Sequence, residues 1–362
     1  METNKMREIY LIRHGLPEFP DGKKVCIGHT DLHLSTIGKM QAFLAEKYFN
    51  DIDISNVFCS RLKRAIQTAE FFNNPIIIDG LEEMNFGVWD GFSFDEIKVR
   101  WPKLYEARGK DPFLQPPGAE NQEEAFIRFN FALKKILKET KGNIIIVSHS
   151  AIMHAFLSKT LKKELPPGRK LLPYCSISKL NLKNNIITDE YIGKQYNPLL
   201  TEDLCLQLLN VANTPEHVIK HSMAVAKEAK RIGLCLIEKG FNLNIDLITN
   251  TALLHDIART NKNHCKVGKE WIDALGYHKE AEIIGKHCDN YIFENIDELA
   301  VLIIADRVVF EDKVVGLNER FKRSAKKFQT DELKEIIEKK FEINKKNIET
   351  INKICNQEII KL

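Results

Sequence analysis

Two histidines in this chain each follow a run of aliphatic residues that is typical of a buried β-strand. The sequence IYLIRHG contains Arg13 and His14, and the sequence IIIVSHS contains His149. A third run, NVFCS, leads into a helical pattern that carries Arg64. Ligand sites of open α/β sheets lie outside the carboxyl ends of the strands. We therefore expect these four side chains to meet at one edge of a sheet.

This set of side chains suits a phosphoryl group. Guanidinium groups pair bidentately with phosphate oxygens, and a neutral imidazole can attack phosphorus. The cations would also stabilise the charge that spreads over the equatorial oxygens in the transition state. An alkoxide leaving group needs a proton donor, for which Glu83 in LEEMNFG is the candidate and the adjacent Glu82 the alternative. No cofactor is expected for this chemistry.

A second set of side chains suits a metal ion. In the sequence TALLHDIA, an otherwise apolar helical pattern places His255 beside Asp256. Burying both without partners would be costly, so metal ligation is the natural explanation. The other candidate ligands are His221, His264, His287 and Asp306. Nitrogen and oxygen ligands of this kind suit Mn, Fe, Zn, Co or Mg.

The elements that carry the first set alternate between strand and helix patterns from residue 7 to about 190. Strands are predicted at 8–13, 56–60, 76–79 and 143–148, with an edge strand at 177–182. Helices are predicted after Ser35 and at 64–73, 93–100 and 120–140. Strands separated by helices favour a parallel sheet with right-handed crossovers. The predicted fold class is a three-layer α/β domain with a mostly parallel sheet.

The remainder of the chain shows helical patterns and no convincing strand. Helices are predicted at 217–232, 246–257, 265–275, 279–287 and 297–310, which indicates an all-α domain. Beyond these, residues 313–362 form a charged amphipathic helical tail, which we expect to pack on its own domain because Asn344 interrupts its apolar stripe. The chain is therefore multidomain, with domains at 1–195 and 213–312, a linker at 196–212 and the tail.

The N-terminal motifs resemble those of the histidine phosphatase superfamily, also called phosphoglycerate mutase-like, over roughly residues 7–190. The resemblance implies that His14 is a nucleophile that becomes a phosphohistidine, and that Glu83 is the general acid. The phosphate pocket that it implies consists of Arg13, Arg64 and His149. Ser150 and Ala151 stand where the family often has glycines, so close backbone approach to the phosphate is in question there.

The substrate is less defined by these motifs. Phosphoglycerate mutases resemble the chain less well, because they carry extra segments that enclose a bisphosphorylated intermediate. The sequence KVCIGHTDLHLS, at 24–35, is similar to the matching loop of α-ribazole phosphatases and of small sugar-phosphate phosphatases. A phosphatase of protein phosphohistidine is the alternative, and it would need an open, shallow site.

The order of the C-terminal ligands resembles the HD superfamily of metal-dependent phosphohydrolases over roughly residues 213–312. The first metal that the resemblance implies is held by His221, His255, Asp256 and Asp306. A second metal would be held by His264 and His287. Together the two resemblances predict a bifunctional phosphohydrolase whose second substrate is a nucleotide. The alternative is a phosphatase that is regulated by a non-catalytic, metal- or nucleotide-sensing HD domain.

Composition limits the partners and the compartment. The formal net charge is +3, from 53 basic and 50 acidic residues, which is too small to indicate a nucleic-acid partner. No apolar run reaches membrane-spanning length, so the predicted compartment is the cytoplasm and the predicted partners are small phosphoesters. The eight cysteines are scattered without a Cys-x-x-Cys pair, and we expect reduced, packed thiols. The oligomeric state is not predicted.

Overall fold

The computed structural model describes residues 6–111, 114–166, 168–325 and 331–362. The chain forms two compact units, Met1–Pro198 (unit 1) and Leu199–Leu362 (unit 2). In the described part of the chain, no helix is long and apolar enough to cross a membrane.

Unit 1 alternates strands and helices as predicted. Its strands are β1 (Arg7–Arg13), β2 (Asn56–Cys59), β3 (Ile76–Ile77), β4 (Ile144–Ser148), β5 (Ile177–Lys183) and β6 (Ile186–Lys194). Its helices are α1 (Thr36–Glu46), α2 (Lys63–Ala69), α3 (Phe94–Arg100), α4 (Pro102–Lys110), α5 (Gln122–Glu139), α6 (Ser150–Leu161) and α7 (Gly168–Leu171). Capping boxes begin α3 at Ser93 and α5 at Asn121, which explains why both helices start where the sequence indicated.

The strands form one sheet in the order β3-β2-β4-β1-β5-β6. The pairings β3-β2, β2-β4 and β4-β1 are parallel, and β5 and β6 join in antiparallel fashion. We predicted β5 as an edge strand, but β6 pairs with its outer side and forms that edge of the sheet. The hairpin that β5 and β6 form was not predicted. Asn184 and Asn185 both adopt positive φ, at 51° and 63°, as a tight turn between twisted strands requires.

The sheet is the middle of three layers. Successive residues of β1 point to opposite faces, so Ile9 and Leu11 pack in one core and Tyr10 and Ile12 in another. Residues of α5 and α6 complete the first core, and residues of α1 and α2 complete the second. The predicted three-layer arrangement with a mostly parallel sheet is confirmed.

Unit 2 is built mainly from helices. They are α8 (Glu202–Val211), α9 (Glu216–Glu238), α10 (Ile245–Leu254), α11 (His264–Ala274), α12 (His278–Lys286), α13 (Glu298–Val308), α14 (Leu317–Ala325) and α15 (Asp331–Cys355). We expected no strand, but β7 (Val309–Phe310) and β8 (Lys313–Val314) form a short antiparallel pair. The segment 196–212, predicted as a linker, contains α8 instead. Thr201 caps that helix, and Leu204 and Leu208 bury its apolar face.

The C-terminal tail packs within unit 2, as predicted. Ile348 and Ile351 of α15 are fully buried. Asn344 is buried too, and its side chain donates to Asn290 Oδ1 at 2.7 Å, so the residue that interrupts the stripe makes a specific contact inside the unit. One expectation was wrong: two of the eight cysteines, Cys265 and Cys288, are joined by a disulfide.

Candidate functional site

His14 lies at the end of β1 and is poised to act through one nitrogen. The register pairs Arg13 with Ser148, so His14 and His149 leave adjacent parallel strands at the same level, with ring centroids 5.0 Å apart. His14 Nδ1 lies 2.7 Å from the backbone oxygen of Gly15. A carbonyl only accepts, so Nδ1 carries the proton and Nε2 keeps its lone pair.

Burial and positive charge keep His14 neutral. Only 2% of the residue is exposed. Burial lowers the pKa of His14 well below its ordinary value, and the charges of Arg64 and Arg13 lower it further. A neutral imidazole at the end of a strand, facing guanidinium groups, has the protonation state that nucleophilic attack on phosphorus requires.

His149 is fully buried and is held by Ser60, a residue that the sequence analysis did not assign. His149 Nε2 lies 2.8 Å from Ser60 Oγ, while Nδ1 has no hydrogen-bond partner among the described residues. Burial lowers the pKa of His149 well below its ordinary value, and Arg64 and His14 add to the effect. A buried ring nitrogen without a partner is costly. It suits a site that binds a phosphate oxygen.

Arg64, in the first turn of α2, is fully buried and held by a loop. Its guanidinium donates to the backbone oxygens of Gly28 at 2.7 Å and Thr30 at 2.8 Å, while Nε has no hydrogen-bond partner among the described residues. Gly28 has little freedom to change, because a Cβ there would lie 2.5 Å from the carbonyl oxygen of Met84. The loop therefore fixes the orientation of the guanidinium.

Asp90 holds this loop in turn. One carboxylate oxygen accepts from the Gly28 N–H at 2.9 Å and the Thr30 hydroxyl at 2.7 Å. The other accepts from the His29 N–H at 2.7 Å and the Thr30 N–H at 3.1 Å. Four hydrogen bonds to one carboxylate make Asp90 a positioning residue for the loop that grips Arg64. Asp90 lies in the sequence FGVWDG, and its role is visible only in three dimensions.

Arg13 is largely buried and packs against an aromatic ring. Its guanidinium carbon lies 3.8 Å from the centroid of the Tyr174 ring, and Nη1 donates to the backbone oxygen of Leu172 at 2.8 Å. Tyr174 also lies near His14, with ring centroids 5.7 Å apart. The ring holds Arg13 flat beside the nucleophile.

The two adjacent glutamates have different surroundings. Glu83 accepts from the N–H groups of Met84, Ala151 and Ile152 at 2.9, 3.1 and 2.9 Å, so its carboxyl group lies at the N-terminus of α6. Glu82 instead contacts Arg61 at 3.2 Å and Arg128 at 3.3 Å. Glu83 faces the cavity and Glu82 is occupied by two arginines. Of the two glutamates, Glu83 is therefore the one placed to exchange a proton with a ligand in the cavity.

A cavity of about 900 Å³ opens in front of these groups. Arg13, His14 and Glu83 share its wall, while Arg64 and His149 are fully buried. Ser150 also lines the cavity, and its buried hydroxyl has no hydrogen-bond partner among the described residues. At this position, where the family often has a glycine that lets the backbone approach the phosphate, the chain has a side-chain hydroxyl instead. Much of the remaining wall is apolar, from Phe19, Val25, Ile27, Phe86, Trp89 and Phe94.

In unit 2, three of the predicted histidine ligands make the same kind of hydrogen bond through Nδ1. The Nδ1 atoms of His221, His255 and His287 lie 2.8, 2.8 and 2.6 Å from backbone oxygens, which makes each of them a donor. Every Nε2 atom is thereby left to face the carboxylates of Asp256 and Asp306. Metal-ligating histidines almost always donate their other ring N–H to a carbonyl or carboxylate in this way.

The ligand atoms converge at spacings that suit metal coordination. Asp306 Oδ1 lies 3.1 Å from His221 Nε2 and 3.9 Å from His255 Nε2. Asp256 Oδ2 lies 3.6 Å from His255 Nε2, which is fully buried and has no hydrogen-bond partner among the described residues. Metal bonds of about 2.0–2.2 Å place neighbouring N and O ligands about 3.0–3.5 Å apart. The 3.1 Å contact lies in that range, and the contacts of 3.6 and 3.9 Å would shorten by a few tenths of an ångström around a divalent ion.

The second pair of predicted ligands, His264 and His287, lies near the other carboxylate oxygen of Asp256. Oδ1 is 3.2 Å from His264 Nε2 and 3.7 Å from His287 Nε2. Although burial raises it, the charges and hydrogen bonds of the neighbouring histidines and of Arg259 hold the pKa of Asp256 below its ordinary value. The structure thus brings all six predicted ligands into one cluster, with His255 and Asp256 at its centre.

Arginines also surround this cluster. Arg307 Nη1 lies 2.5 Å from Asp306 Oδ2, and Arg259 Nη1 lies 3.7 Å from Asp256 Oδ1. The charges of Asp306 and Asp256 also act on the partly buried Arg320. Such cations can bind the oxygens of a phosphate beside a metal.

Comparisons with known proteins support the interpretation of unit 1. The human 6-phosphofructo-2-kinase/fructose-2,6-bisphosphatase 1 is 30% identical over 167 residues, which is 44% of this chain and 34% of that protein. The chain thus spans about a third of the length of that relative. The uncharacterized phosphatase PhoE of Bacillus subtilis is 30% identical over 161 residues, 42% of this chain and 77% of that protein.

A solved α-ribazole phosphatase from Shigella flexneri is 22% identical, with 54% of this chain and all of that chain covered and a TM-score of 0.46. The model of the histidine phosphatase superfamily, branch 1, matches residues 9–188. With Arg13, His14, Glu83 and His149 on that matched segment, the chain belongs to the histidine phosphatase superfamily.

Proposed function

We propose that unit 1 is a phosphomonoesterase that transfers the phosphoryl group of its substrate to His14 Nε2. The observation that carries the proposal is the contact between His14 Nδ1 and the Gly15 oxygen, which leaves a neutral Nε2 beside Arg13 at the cavity wall. The superfamily membership of residues 9–188 supports the same chemistry.

The reaction has two steps. His14 Nε2 forms a bond to phosphorus as the bond from phosphorus to the ester oxygen breaks, and Glu83 gives its proton to that oxygen. Water then attacks the phosphohistidine, Glu83 takes a proton from the water, and inorganic phosphate leaves. Arg13, Arg64 and His149 bind the phosphoryl oxygens throughout and stabilise their charge in both transition states.

The cavity favours a monoester of a bulky, partly apolar or aromatic alcohol. Its wall carries large apolar side chains such as Phe19, Phe86 and Phe94, and its polar lining includes Lys24 and Arg108. A phosphatase of protein phosphohistidine would need an open site, but His14 is 2% exposed. α-Ribazole phosphate and sugar phosphates fit these limits better than a protein substrate, and the apolar wall suits the former.

A phosphoester panel tests this proposal. The full chain would be assayed in the presence of a chelator against α-ribazole phosphate, sugar phosphates and 2,3-bisphosphoglycerate, beside the His14→Ala variant. We expect chelator-resistant release of phosphate that the variant loses. Hydrolysis that the chelator abolishes, or that His14→Ala retains, would contradict the proposal.

We propose a second activity for unit 2, metal-dependent hydrolysis of a phosphoester, with a nucleotide as the expected substrate class. Its support is the convergence of three anchored histidines on Asp256 and Asp306, with Arg259 and Arg307 beside them. A divalent metal there would act as a Lewis acid on a phosphoryl oxygen and supply a water nucleophile. The arginines would hold the phosphate of the substrate in place.

This second activity is best measured in a His14→Ala background, where the first site is silent. Nucleotide mono-, di- and triphosphates would be tested with Mn²⁺, Fe²⁺, Zn²⁺, Co²⁺ and Mg²⁺, and Asp306→Ala would serve as the loss control. We expect metal-dependent turnover that Asp306→Ala abolishes. A metal-loaded chain that binds nucleotides without turnover would favour the alternative, in which unit 2 is a sensor.

A further inference from the structure

We propose that Cys265 and Cys288 form the redox-controlled half of a metal site, in which their thiolates join His264 and His287 to hold a soft divalent ion such as Zn²⁺. The four ligand atoms lie within 4.8 Å of one another. The proposal shares both histidines with the phosphohydrolase site but does not require that site to be catalytic.

The strongest support is the set of sulfur–nitrogen distances. Cys265 Sγ lies 3.5 Å from His264 Nε2 and 3.8 Å from His287 Nε2. Cys288 Sγ lies 3.6 and 3.5 Å from the same two atoms. A tetrahedral zinc ion, with bonds of about 2.3 Å to sulfur and about 2.0–2.1 Å to nitrogen, has sulfur–nitrogen edges of about 3.6 Å. All four sulfur–nitrogen distances lie within about 0.2 Å of that value. The two sulfurs are joined in the disulfide and separate to about 3.8 Å when both bind the ion.

The helices that carry these residues explain the convergence. His264 and Cys265 begin α11, and His287 and Cys288 directly follow α12, which packs against α11. Each His-Cys dipeptide contributes one nitrogen and one sulfur. The His287 ring is fixed by its Nδ1 contact with the oxygen of Ile284, so its Nε2 is presented to both sulfurs.

The disulfide between these cysteines is the oxidised form of the same site. When it forms, two thiolates lose two electrons and release the metal. A low-molecular-weight disulfide such as oxidised glutathione takes up the electrons and becomes two thiolates. Both cysteines are partly exposed, so a small reagent can reach them.

Oxidation would change which metal the histidines hold. The same Nε2 atoms of His264 and His287 also lie 3.2 and 3.7 Å from Asp256 Oδ1. With the thiolates present the donor set contains two sulfurs and two nitrogens, which selects soft ions. With the disulfide formed, two nitrogens and a carboxylate oxygen remain, and this set suits harder ions such as Mn²⁺ or Fe²⁺.

Cobalt is the probe for this proposal, because thiolate ligands give Co²⁺ an intense charge-transfer absorption that nitrogen and oxygen ligands do not. The full chain would be reduced with a phosphine under anaerobic conditions, loaded with Co²⁺ and then titrated with oxidised glutathione. We expect the thiolate band in the reduced chain and its complete loss on oxidation, with the formation of one disulfide. Reduction should restore the band.

Two double variants complete the test. Cys265→Ser with Cys288→Ser should lose the band and its redox response but still bind metal through His221 and Asp306. Cys235→Ser with Cys355→Ser is the matched control, because those sulfurs lie 2.8 Å apart outside the cluster, and it should keep the band. A reduced wild-type chain without the band, or a band that survives in the first variant, would overturn the proposal even if unit 2 proves catalytic.

Discussion

His14 Nδ1 lies 2.7 Å from the backbone oxygen of Gly15, its neighbour in the chain, and this contact decides which ring nitrogen can react. The same residue is buried and faces two guanidinium groups, which hold its pKa low. Orientation, tautomer and charge of the nucleophile are therefore set before any substrate binds. The predictions below follow from this arrangement and from the separate cluster in unit 2.

Stability should fall as the solution becomes acidic. Burial lowers the pKa of His14 and His149 in the folded chain, so below their ordinary value of about 6.5 the unfolded chain binds protons that the folded chain does not. Each group then removes up to about 1.4 kcal/mol of stability per pH unit until its folded pKa is reached. His14→Asn should show a shallower acid slope than wild type.

Fluorescence can measure this slope in unit 1 alone. In a Trp271→Phe background, only Trp89 and Trp101 remain, and both lie in unit 1. Urea unfolding at several pH values between 5 and 8 gives the free energy of unfolding of that unit. Equal slopes for His14→Asn and its parent would show that His14 is not held neutral.

Asp90 should control phosphate affinity without contacting phosphate. Removing its carboxylate in Asp90→Ala frees the loop whose oxygens orient Arg64. A displacement of about 1 Å at such a site can cost about 100-fold, so we expect inhibition by inorganic phosphate to weaken by about 10- to 100-fold. The exposed Asp51→Ala is the control. Unchanged phosphate inhibition in Asp90→Ala would show that Asp90 does not control phosphate affinity.

Glu83 and Glu82 should respond differently to the leaving group. Glu83→Gln should slow the hydrolysis of alkyl phosphates by about 10²–10⁴-fold, because their alkoxides need a proton. The contrast is read from kcat/KM, which covers the steps up to loss of the leaving group and not the later attack of water. Glu83→Gln should lower kcat/KM for p-nitrophenyl phosphate far less, since that phenolate leaves without help. Glu82→Gln removes contacts with Arg61 and Arg128, and should lower stability with no such dependence. The same loss for both ester types in Glu83→Gln would count against proton donation.

His255 should be essential for metal binding in unit 2. It belongs to two groups of ligand atoms, one with His221 and Asp306 and the other with Asp256 and His287. Second-shell changes alone cost about 10- to 100-fold in metal affinity, so loss of a ligand in His255→Ala should cost more. The control is His278→Ala, which removes an exposed histidine that pairs with Asp273. Equal metal content of both variants by atomic emission would refute the ligand assignment.

Sequence and structure agree most closely where a residue's position in an element decides its neighbours. His14 and His149 follow apolar strands, and parallel register then brought them together. Asp90 and Ser60 could not be assigned, because their partners, the loop at Gly28 and the ring of His149, are distant in sequence. The repeated His-Cys dipeptide was visible in the sequence, but the packing of α11 against α12 was needed to pair the two copies.

The central claim is that the phosphoryl group is transferred to His14 Nε2 and becomes covalently bound there. Rapid quenching of the full chain with a ³²P-labelled monoester, in the presence of a chelator, tests it most directly. We predict an acid-labile, base-stable phosphoenzyme whose label maps to the peptide that contains His14 and is absent from His14→Ala. Turnover of the same monoester with no trapped phosphoenzyme, or with the label on another residue, would contradict the account.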